Sequence, residues 1–218
     1  MASDFEIHFI QFSGTDPVVN LAMEECLARD RPEKRGYVLL YRNRRSVIVG
    51  RNQNPWREAS PVRLAKRRIP LLRRASGGGA VFHDAGNLNF SFIVPRIRYD
   101  PPKFLAWICR ALAEQGAEVR LGPRNEILMD DDGLKISGTA FLLVSGTALL
   151  HGTLLVDSDL AELGETLQPP DLDIETRAVR SVAARVANIG DRLPGFSEQR
   201  LAADIMGHTR SGMGVPVR

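Results

Sequence analysis

The chain has 218 residues, of which 44% are hydrophobic, 25% charged and 6% aromatic, a composition typical of a folded domain that can bury its own core. Disordered, collagen-like and disulfide-scaffold proteins are excluded, since the only cysteines are Cys26 and Cys109 and they form no metal-binding pattern. No apolar run reaches the ~18 residues that a membrane span requires, and residues 1–12 carry no leader-like segment. We therefore expect a cytoplasmic protein with no membrane partner.

Periodicity and capping residues predict alternating strands and helices. In chain order they are strand 5–12, helix 17–29, strand 37–41, strand 46–50, helix 61–68, strand 87–94, helix 102–115, strand 134–144 and strand 147–156. Asp16 supplies the N-cap of the first helix, and Gly116 ends the third. Short polar connections predict two hairpins, one formed by 37–41 with 46–50 and one by 134–144 with 147–156.

Hairpins interrupted by helices indicate an α+β fold with a largely antiparallel mixed sheet flanked by helices, and argue against a Rossmann alternation. No internal repeat or low-complexity linker divides the chain. We therefore expect a single domain over residues 1–206. Residues 207–218 show no periodicity and are expected to form a flexible C-terminal tail.

Charge is distributed unevenly, although the net charge is only +3. Eleven lysines or arginines and one acid lie between Arg42 and Arg74, whereas seven acids and no lysine or arginine lie between His151 and Thr176. Such a basic segment attracts an acidic partner, holds phosphate, or forms a solvated helix face. Nucleic acid is not expected as a partner, because the chain has no helix-turn-helix, RNA-recognition or zinc-finger signature.

A glycine triplet follows a basic pair in residues 73–83, RRASGGGAVFH. Consecutive glycines let the backbone approach a ligand closely and direct successive N–H groups at an anion, and a nearby arginine can add a charge-assisted pair. The segment is neither a Walker loop nor a dinucleotide fingerprint. It predicts a phosphate cradle, with a plain flexible turn as the alternative.

Two polar residues interrupt hydrophobic strands. Lys135 lies between Leu134 and Ile136, and the small residues that follow leave room for a substrate beside the ammonium. An exposed strand lysine is the alternative interpretation. His151 lies inside an apolar strand, where a hydrogen-bonded core histidine is as good an explanation as a functional one.

Four sequence blocks, taken in order, resemble the signature of lipoate-protein ligases and the related lipoyltransferases. They are GRNQNPW at 50–56, RRASGGGAVFHDAGNLNFSF at 73–92, KISGTA at 135–140 and HGTLL at 151–155. The resemblance extends from Phe12 to about Ile189. It implies a catalytic domain like that of biotin and lipoate protein ligases, in a small form without the C-terminal accessory domain of larger members.

The resemblance implies an enzyme that activates lipoate or octanoate with ATP and transfers the acyl group from acyl-AMP to a lysine. The implied acceptor is a lipoyl-domain protein such as a 2-oxoacid dehydrogenase E2 or the glycine cleavage H protein. Lys135 is implied to be catalytic and to bind both lipoate and the nucleotide, while His83 and His151 are implied to position lipoate. The residues implied to bind ATP and lipoyl-AMP are Arg74, Ser76, Gly77, Gly78, Gly79, Ala80, Val81, Phe82 and Lys135.

ATP implies Mg²⁺, which binds mostly through phosphates and few carboxylates. Glu126 is the candidate ligand, at a position where the family usually has aspartate. Leu142 stands where the family often carries an arginine, so one phosphate contact is missing. The expected apolar slot for the acyl chain is built from strand residues Val47, Ile48, Val49, Leu72 and Phe90.

Alternative functions stay open at this point. A lipoyltransferase would use ready-made lipoyl-AMP, and the missing accessory domain could instead be supplied by a separate protein. An octanoyltransferase that uses acyl carrier protein needs a nucleophilic thiol, and neither Cys26 nor Cys109 matches the family's nucleophile positions. A non-catalytic lipoyl-binding module is disfavoured, because Arg74, the glycine triplet and Lys135 are all present.

Overall fold

A computed structural model of the chain describes residues 5–31, 33–169 and 175–215. The strands of this part are β1 (Glu6–Gln11), β2 (Arg35–Arg42), β3 (Ser46–Val49), β4 (Leu71–Arg73), β5 (Val81–His83), β6 (Asn87–Pro95), β7 (Val119–Leu121), β8 (Ile127–Met129), β9 (Lys135–Ser137), β10 (Thr139–Val144) and β11 (Thr147–Leu155). The α-helices are α1 (Pro17–Arg29), α2 (Pro61–Arg67), α3 (Pro101–Ala113), α4 (Leu160–Thr166), α5 (Ile189–Arg192) and α6 (Glu198–Met213).

A five-stranded sheet of order β1-β2-β6-β11-β10 forms the centre of the fold. Only β1 and β2 pair in parallel, and the other three pairs are antiparallel. All nine residues of β6 are buried, because the sheet is covered on both faces. This arrangement confirms the predicted α+β class with a largely antiparallel mixed sheet flanked by helices.

The larger core lies between the central sheet and helices α3 and α6. Its centre is aromatic: the Phe104 ring centroid lies 5.0 Å from that of Phe92 and 5.3 Å from that of Trp107. Helix α6 adds Leu201 and Ile205, which have no exposed surface. Helix α1 covers the other face of the sheet, where a smaller cluster includes Leu39 and Leu149.

Two three-stranded sheets flank the central one, with orders β4-β3-β5 and β7-β8-β9. Strand β9 joins its sheet to β11, since the Thr153 N–H donates to the Gly138 carbonyl at 3.0 Å. The strand predicted over residues 134–144 is therefore broken at Gly138. Its second half, β10, forms the predicted hairpin with β11.

The predicted hairpin between residues 37–41 and 46–50 is wrong. Strand β2 pairs with β1 and β6, whereas β3 pairs with β4 and β5 in a different sheet. The polar connection is anchored and does not reverse the chain: the Asn43 side chain is buried, and the Arg44 N–H donates to the Thr15 carbonyl at 2.7 Å. The chain therefore changes sheets at this point.

The C-terminal segment forms a helix that the sequence analysis does not predict. Helix α6 ends at Met213, with Gly214 in the left-handed region as its C-cap. The expectation of a flexible tail is therefore corrected for residues 207–213, whose buried members are Thr209 and Met213. Residues 216–218 lie outside the described part. Within the described residues, no helix has both the length and the apolarity needed to cross a bilayer.

Candidate active site

A cavity of about 350 Å³, called the main cavity below, lies where the central sheet meets β5 and β9. It brings together most of the residues singled out from the sequence: those on its wall are Arg74, Gly78, Gly79, Ala80, Val81, His83, Glu126, Lys135 and His151. A small cavity of about 200 Å³ behind it is lined by Ser76. Phe82 lines a second cavity of about 360 Å³, and Gly77 lines none of the three.

The glycine triplet forms a tight loop in which Gly78 and Gly79 leave little room for a side chain, since a Cβ atom on Gly79 would lie 2.9 Å from Ser181 Oγ. Gly78 has a φ of +84°, a conformation that favours glycine. A Cβ atom on the facing Gly50 would lie 2.2 Å from the Gly78 carbonyl oxygen. The Arg51 N–H also donates to the Ser76 carbonyl at 2.8 Å. The GRNQNPW block therefore holds the loop from behind.

The Arg74 guanidinium is buried and holds the same loop from inside. It donates to the carbonyls of Gly77 at 2.6 Å, Gly79 at 2.7 Å and Ile48 at 3.2 Å. Burial lowers the pKa of Arg74 to about 10, against the opposing charge of Glu24, so the side chain is still cationic at neutral pH. Most of its N–H groups donate to acceptors in the protein, so Arg74 would act on an anionic ligand mainly through its positive charge.

A chain of buried side chains connects the loop to helix α1. Ser76 Oγ lies 2.7 Å from His151 Nε2, and His151 Nδ1 lies 2.8 Å from Glu24 Oε2. Burial raises the pKa of Glu24, but the charge and hydrogen bond of His151, with hydrogen bonds from Ser91 and Tyr41, outweigh it and lower that pKa overall. His151 is thus a hydrogen-bonded core histidine that also faces the main cavity.

His83 is held in one tautomer by a second buried chain. Asn20 Nδ2 donates to the Gly14 and Arg42 carbonyls and to Asn43 Oδ1, so Asn43 Nδ2 must donate to His83 Nδ1, 2.9 Å away. The remaining proton is then on His83 Nε2, which has no partner among the described residues. Burial, with the charge of Arg74, lowers the pKa of His83 to about 3.

Lys135 is half-buried at the start of β9, and both of its backbone hydrogen bonds go to residues 175–187, called the strap below. Its N–H donates to the Arg185 carbonyl at 2.9 Å, and its carbonyl accepts from Ala187 at 3.1 Å. A Cβ atom on Gly138 would lie 3.1 Å from Lys135 Nζ, so the glycine makes room for the ammonium. Burial lowers the pKa of Lys135, Glu126 opposes this and Arg124 adds to it.

Glu126 faces the main cavity but is partly engaged. One carboxylate oxygen accepts from the Arg124 N–H at 2.7 Å, and the other lies 3.6 Å from Arg124 Nε. In the described part of the chain, no group of three or more potential metal ligands is found. One carboxylate on the cavity wall fits a Mg²⁺ ion that takes its other ligands from phosphates and water. A single carboxylate would not hold a metal ion whose ligands all come from the protein.

The expected apolar slot is corrected by the structure. Of its five residues only Ile48 faces the main cavity, and Leu72 faces the small cavity. Val47 and Val49 point to the opposite face of β3 and pack in a separate cluster, while Phe90 lies in the larger core. Strand alternation places neighbouring residues on opposite faces, so a run of apolar strand residues could not all line one slot.

The strap lines both the main cavity and the second cavity. Ser181 fixes it in place: its N–H donates to the Glu58 carboxylate at 3.2 Å, and its Oγ accepts from the Ala80 N–H at 2.8 Å and from Gln53 Nε2 at 3.0 Å. Eight residues line both cavities, and they are Ala80, Val81, Lys135, Gly138, Thr153, Arg180, Ser181 and Val182. Lys135 therefore stands at the junction of the two cavities.

The sequence analysis missed Glu24, Ser181 and Arg180 as parts of the site. For Glu24 a signal exists: Asn20, Glu24 and Ala28 are spaced four residues apart and share the buried face of α1, and a polar residue on the apolar face of a helix marks a buried hydrogen-bond network. The strap has no periodicity, and only the folded arrangement places it over the glycine loop.

Comparison with known proteins agrees with this geometry. The family model described as the lipoyl protein ligase A/B catalytic domain matches residues 16–208. The chain belongs to this family. The match includes α1, the glycine loop, Lys135, His151 and the strap, and it makes the chain an enzyme of the lipoate-ligase class.

Solved structures support the same assignment. A structure of the bi-partite lipoate protein ligase of Thermoplasma acidophilum and its E2 lipoyl domain is 27% identical, with a TM-score of 0.84, covering 98% of this chain and 86% of that chain. LipL1 of P. falciparum in complex with lipoate is 26% identical, with a TM-score of 0.81 and coverages of 94% and 62%. A lipoate-protein ligase A bound with ATP is 26% identical, with a TM-score of 0.81 and coverages of 98% and 87%.

Proposed function

We propose that this lipoate ligase activates lipoate with ATP and transfers the lipoyl group to a lysine of a lipoyl-domain protein. The observation that carries the proposal is the position of Lys135, at the junction of two cavities and beside the glycine loop. A two-substrate reaction through an acyl-adenylate needs a cation at the point where acyl carboxyl and phosphate meet.

In the first step a lipoate carboxylate oxygen attacks the α-phosphorus of ATP, and the P–O bond to pyrophosphate breaks. The Lys135 ammonium neutralises charge on the carboxylate and on the phosphoryl oxygens without giving up its proton. The backbone of Gly78 and Gly79 lines the main cavity and would approach the same phosphate, and Arg74 holds this loop through its bonds to the Gly77 and Gly79 carbonyls. Ser76 and His151 hold the other side of this loop in place.

In the second step the acceptor amine attacks the lipoyl carbonyl, an amide forms and AMP leaves. Lys135 again neutralises the oxygen that gains charge. His83 and His151 are assigned to positioning the acyl chain, since both face the main cavity and neither touches Lys135 through a hydrogen bond. When Mg²⁺ is bound, Glu126 would be its protein ligand, and the ion would neutralise phosphate charge.

The acceptor is proposed to be a lipoyl-domain protein such as a 2-oxoacid dehydrogenase E2 or an H protein. The T. acidophilum ligase, described together with its E2 lipoyl domain, supports this class of partner. The thioester route is disfavoured by the cysteines: neither lines any of the three cavities, and burial raises the pKa of Cys109 to about 11, which suppresses the nucleophilic thiolate.

The test incubates the protein with ATP, Mg²⁺, lipoate and a lipoyl-domain acceptor, and measures the acceptor mass. Lys135→Ala should reduce turnover at least ~100-fold, by analogy with the removal of one preorganised charge-stabilising donor, while the Cys26→Ser/Cys109→Ser variant should keep full activity. Modification only with synthetic lipoyl-AMP would restrict the chain to transfer, and a separate accessory-domain protein could then be added. No modification with either donor would refute the proposal.

A further inference from the structure

The nucleotide phosphates need more free positive charge than the predicted site residues supply. Arg74 is committed to loop carbonyls, and Arg124 lies beside Glu126. The arginine that resembling sequences carry in the KISGTA region is replaced by Leu142, which is buried in the cluster under α1. Among the predicted residues, only Lys135 then has a cationic head that makes no hydrogen bond or ion pair with a described residue.

Arg180 is placed to make up this difference. It is exposed and lines both the main cavity and the second cavity, as Lys135 does. Its backbone is fixed on both sides, because the Val179 N–H donates to the Asn52 carbonyl at 3.1 Å and Ser181 is bound by Glu58 and Ala80. Its guanidinium makes no hydrogen bond or ion pair with any residue that the structure describes.

An arginine with a tethered backbone and an unused guanidinium is suited to an anion, because the planar fork matches phosphate oxygens. Glu58, the acid that lines the second cavity, already accepts from the Ser181 N–H. Arg57 lines the second cavity only, whereas Arg180 faces both. Of the two, Arg180 can therefore reach a phosphate chain that crosses the junction at Lys135.

We propose that Arg180 binds the phosphates of the nucleotide and takes the place of the arginine missing at Leu142. The proposal rests on the proposed function for the identity of the nucleotide, but its test does not require ligase turnover. The phosphate contacted is either the α-phosphate, present in both ATP and lipoyl-AMP, or the β- and γ-phosphates, present in ATP alone.

The test measures ATP binding by calorimetry for the wild-type chain, Arg180→Gln, Arg180→Lys and a matched control, Arg177→Gln. Arg177 is also an exposed arginine of the strap but lines none of the cavities. Arg180→Gln should weaken ATP binding about tenfold or more, as expected for loss of a charge-assisted contact, Arg180→Lys should recover part of the loss, and Arg177→Gln should bind like the wild type.

Transfer from synthetic lipoyl-AMP then locates the contact: a loss in Arg180→Gln indicates the α-phosphate, and normal transfer indicates the β- and γ-phosphates. The proposal is overturned if Arg180→Gln binds ATP within twofold of the wild type, or if Arg177→Gln weakens binding equally. A wild-type chain that binds ATP but makes no lipoyl-AMP would contradict the proposed function and leave the Arg180 comparison decisive. A wild-type chain that binds no ATP would overturn both.

Discussion

Lys135 can neutralise charge only while it is protonated, so its surroundings set the upper pH limit of the first step. Burial lowers its pKa below the usual lysine value, and the Glu126 carboxylate opposes that effect. Activity should therefore fall, as pH rises, at a lower pH than an ordinary lysine with a pKa of about 10.4 would give. The measurement is the pH dependence of lipoyl-AMP formation trapped with hydroxylamine, which avoids the ionisation of an acceptor lysine.

Glu126→Gln tests the cause of this limit. Because the carboxylate raises the pKa of Lys135, its loss should move the alkaline fall in activity to lower pH, and Lys135→Arg should move it upward, since arginine stays charged. If activity falls at the same pH in the wild type, Glu126→Gln and Lys135→Arg, another group controls the pH profile.

His83 makes the folded chain sensitive to acid. Its pKa is about 3 when folded and about 6.5 when exposed. His83 is therefore protonated below about pH 6.5 in the unfolded chain but only below about pH 3 in the folded chain. Between these pH values the free energy of unfolding should fall as pH decreases, by up to about 1.4 kcal/mol per pH unit.

Urea unfolding at several pH values between 7 and 4, compared between the wild type and His83→Gln, measures this contribution. The variant should have a lower stability at pH 7 but a shallower decline towards pH 4, because glutamine cannot take up the proton. Equal slopes would contradict the buried neutral state of His83. Glu24, whose pKa is lowered, contributes stability that is lost at more acidic pH still, and it should be unaffected by this change.

At the scale of elements, the sequence predicts helices α1 to α3 and the strands of the central sheet with β3 and β9. It misses the short strands β4, β5, β7 and β8 and helices α4 to α6, and it does not show which strands pair. Helix α1 begins at Pro17 as predicted, because the Asp16 side chain accepts from the Val18 N–H at 2.9 Å. The β2 and β3 runs have ordinary strand composition, and nothing local shows that Asn43 binds Asn20 and His83 rather than forming a turn. Strand pairing depends on such distant contacts.

Some residues of the candidate site can likewise be predicted from the sequence, whereas others are identified only by the fold. The glycine loop and Lys135 are recognisable because their residue types serve one chemistry within a short segment. The expected slot residues and Arg180 depend on which face or cavity a side chain meets, and that is decided by sheet assembly. The segment from Gly207 onward differs from its prediction for a related reason: glycine and polar residues suggest a tail, but Thr209 is buried and Met213 packs in the larger core.

Gly207→Ala tests the helical assignment of this segment. Nothing lies within 4 Å of a Cβ atom built on Gly207, and alanine is favoured over glycine inside a helix by about 0.5–1 kcal/mol. The variant should therefore be more stable by about that amount in chemical denaturation. Gly50→Ala is the opposing control, since its Cβ would clash with the Gly78 carbonyl, and it should be destabilised. An unchanged Gly207→Ala would indicate that the segment is not helical in solution.

At the scale of the whole molecule, part of the uneven charge of the sequence is paired between surface elements. Arg67 of the basic segment pairs with Glu162 at 3.4 Å and Glu165 at 2.6 Å on α4, which belongs to the acidic segment, and Arg45 also pairs with Glu162. Arg73 is used by the carbonyls of Gly50, Arg51 and Gln53. Arg45, Arg67 and Arg73 of the basic segment are therefore held by other parts of the fold.

The walls of the main cavity come from separate parts of the fold, so ligand binding should stabilise the whole molecule. β5, β9, β11 and the strap belong to different sheets or to none, and all contribute to the wall. A ligand that binds only the folded chain adds about 2.7 kcal/mol of stability at a hundredfold excess over its Kd. For a domain of this size that corresponds to a Tm increase of about 5–10 °C.

Thermal unfolding with ATP, with lipoate, with both and with a non-hydrolysable lipoyl-AMP analogue measures this linkage. The analogue should give the largest shift, because it joins the acyl and phosphate contacts in one molecule and loses translational freedom only once. Lys135→Ala is the matched variant. Compared with the wild type, its Tm increase with the analogue should be much smaller, while its Tm increase with lipoate alone should be reduced less. An equal shift with biotin, or none with the analogue, would contradict the assignment of the cavity to lipoyl-AMP.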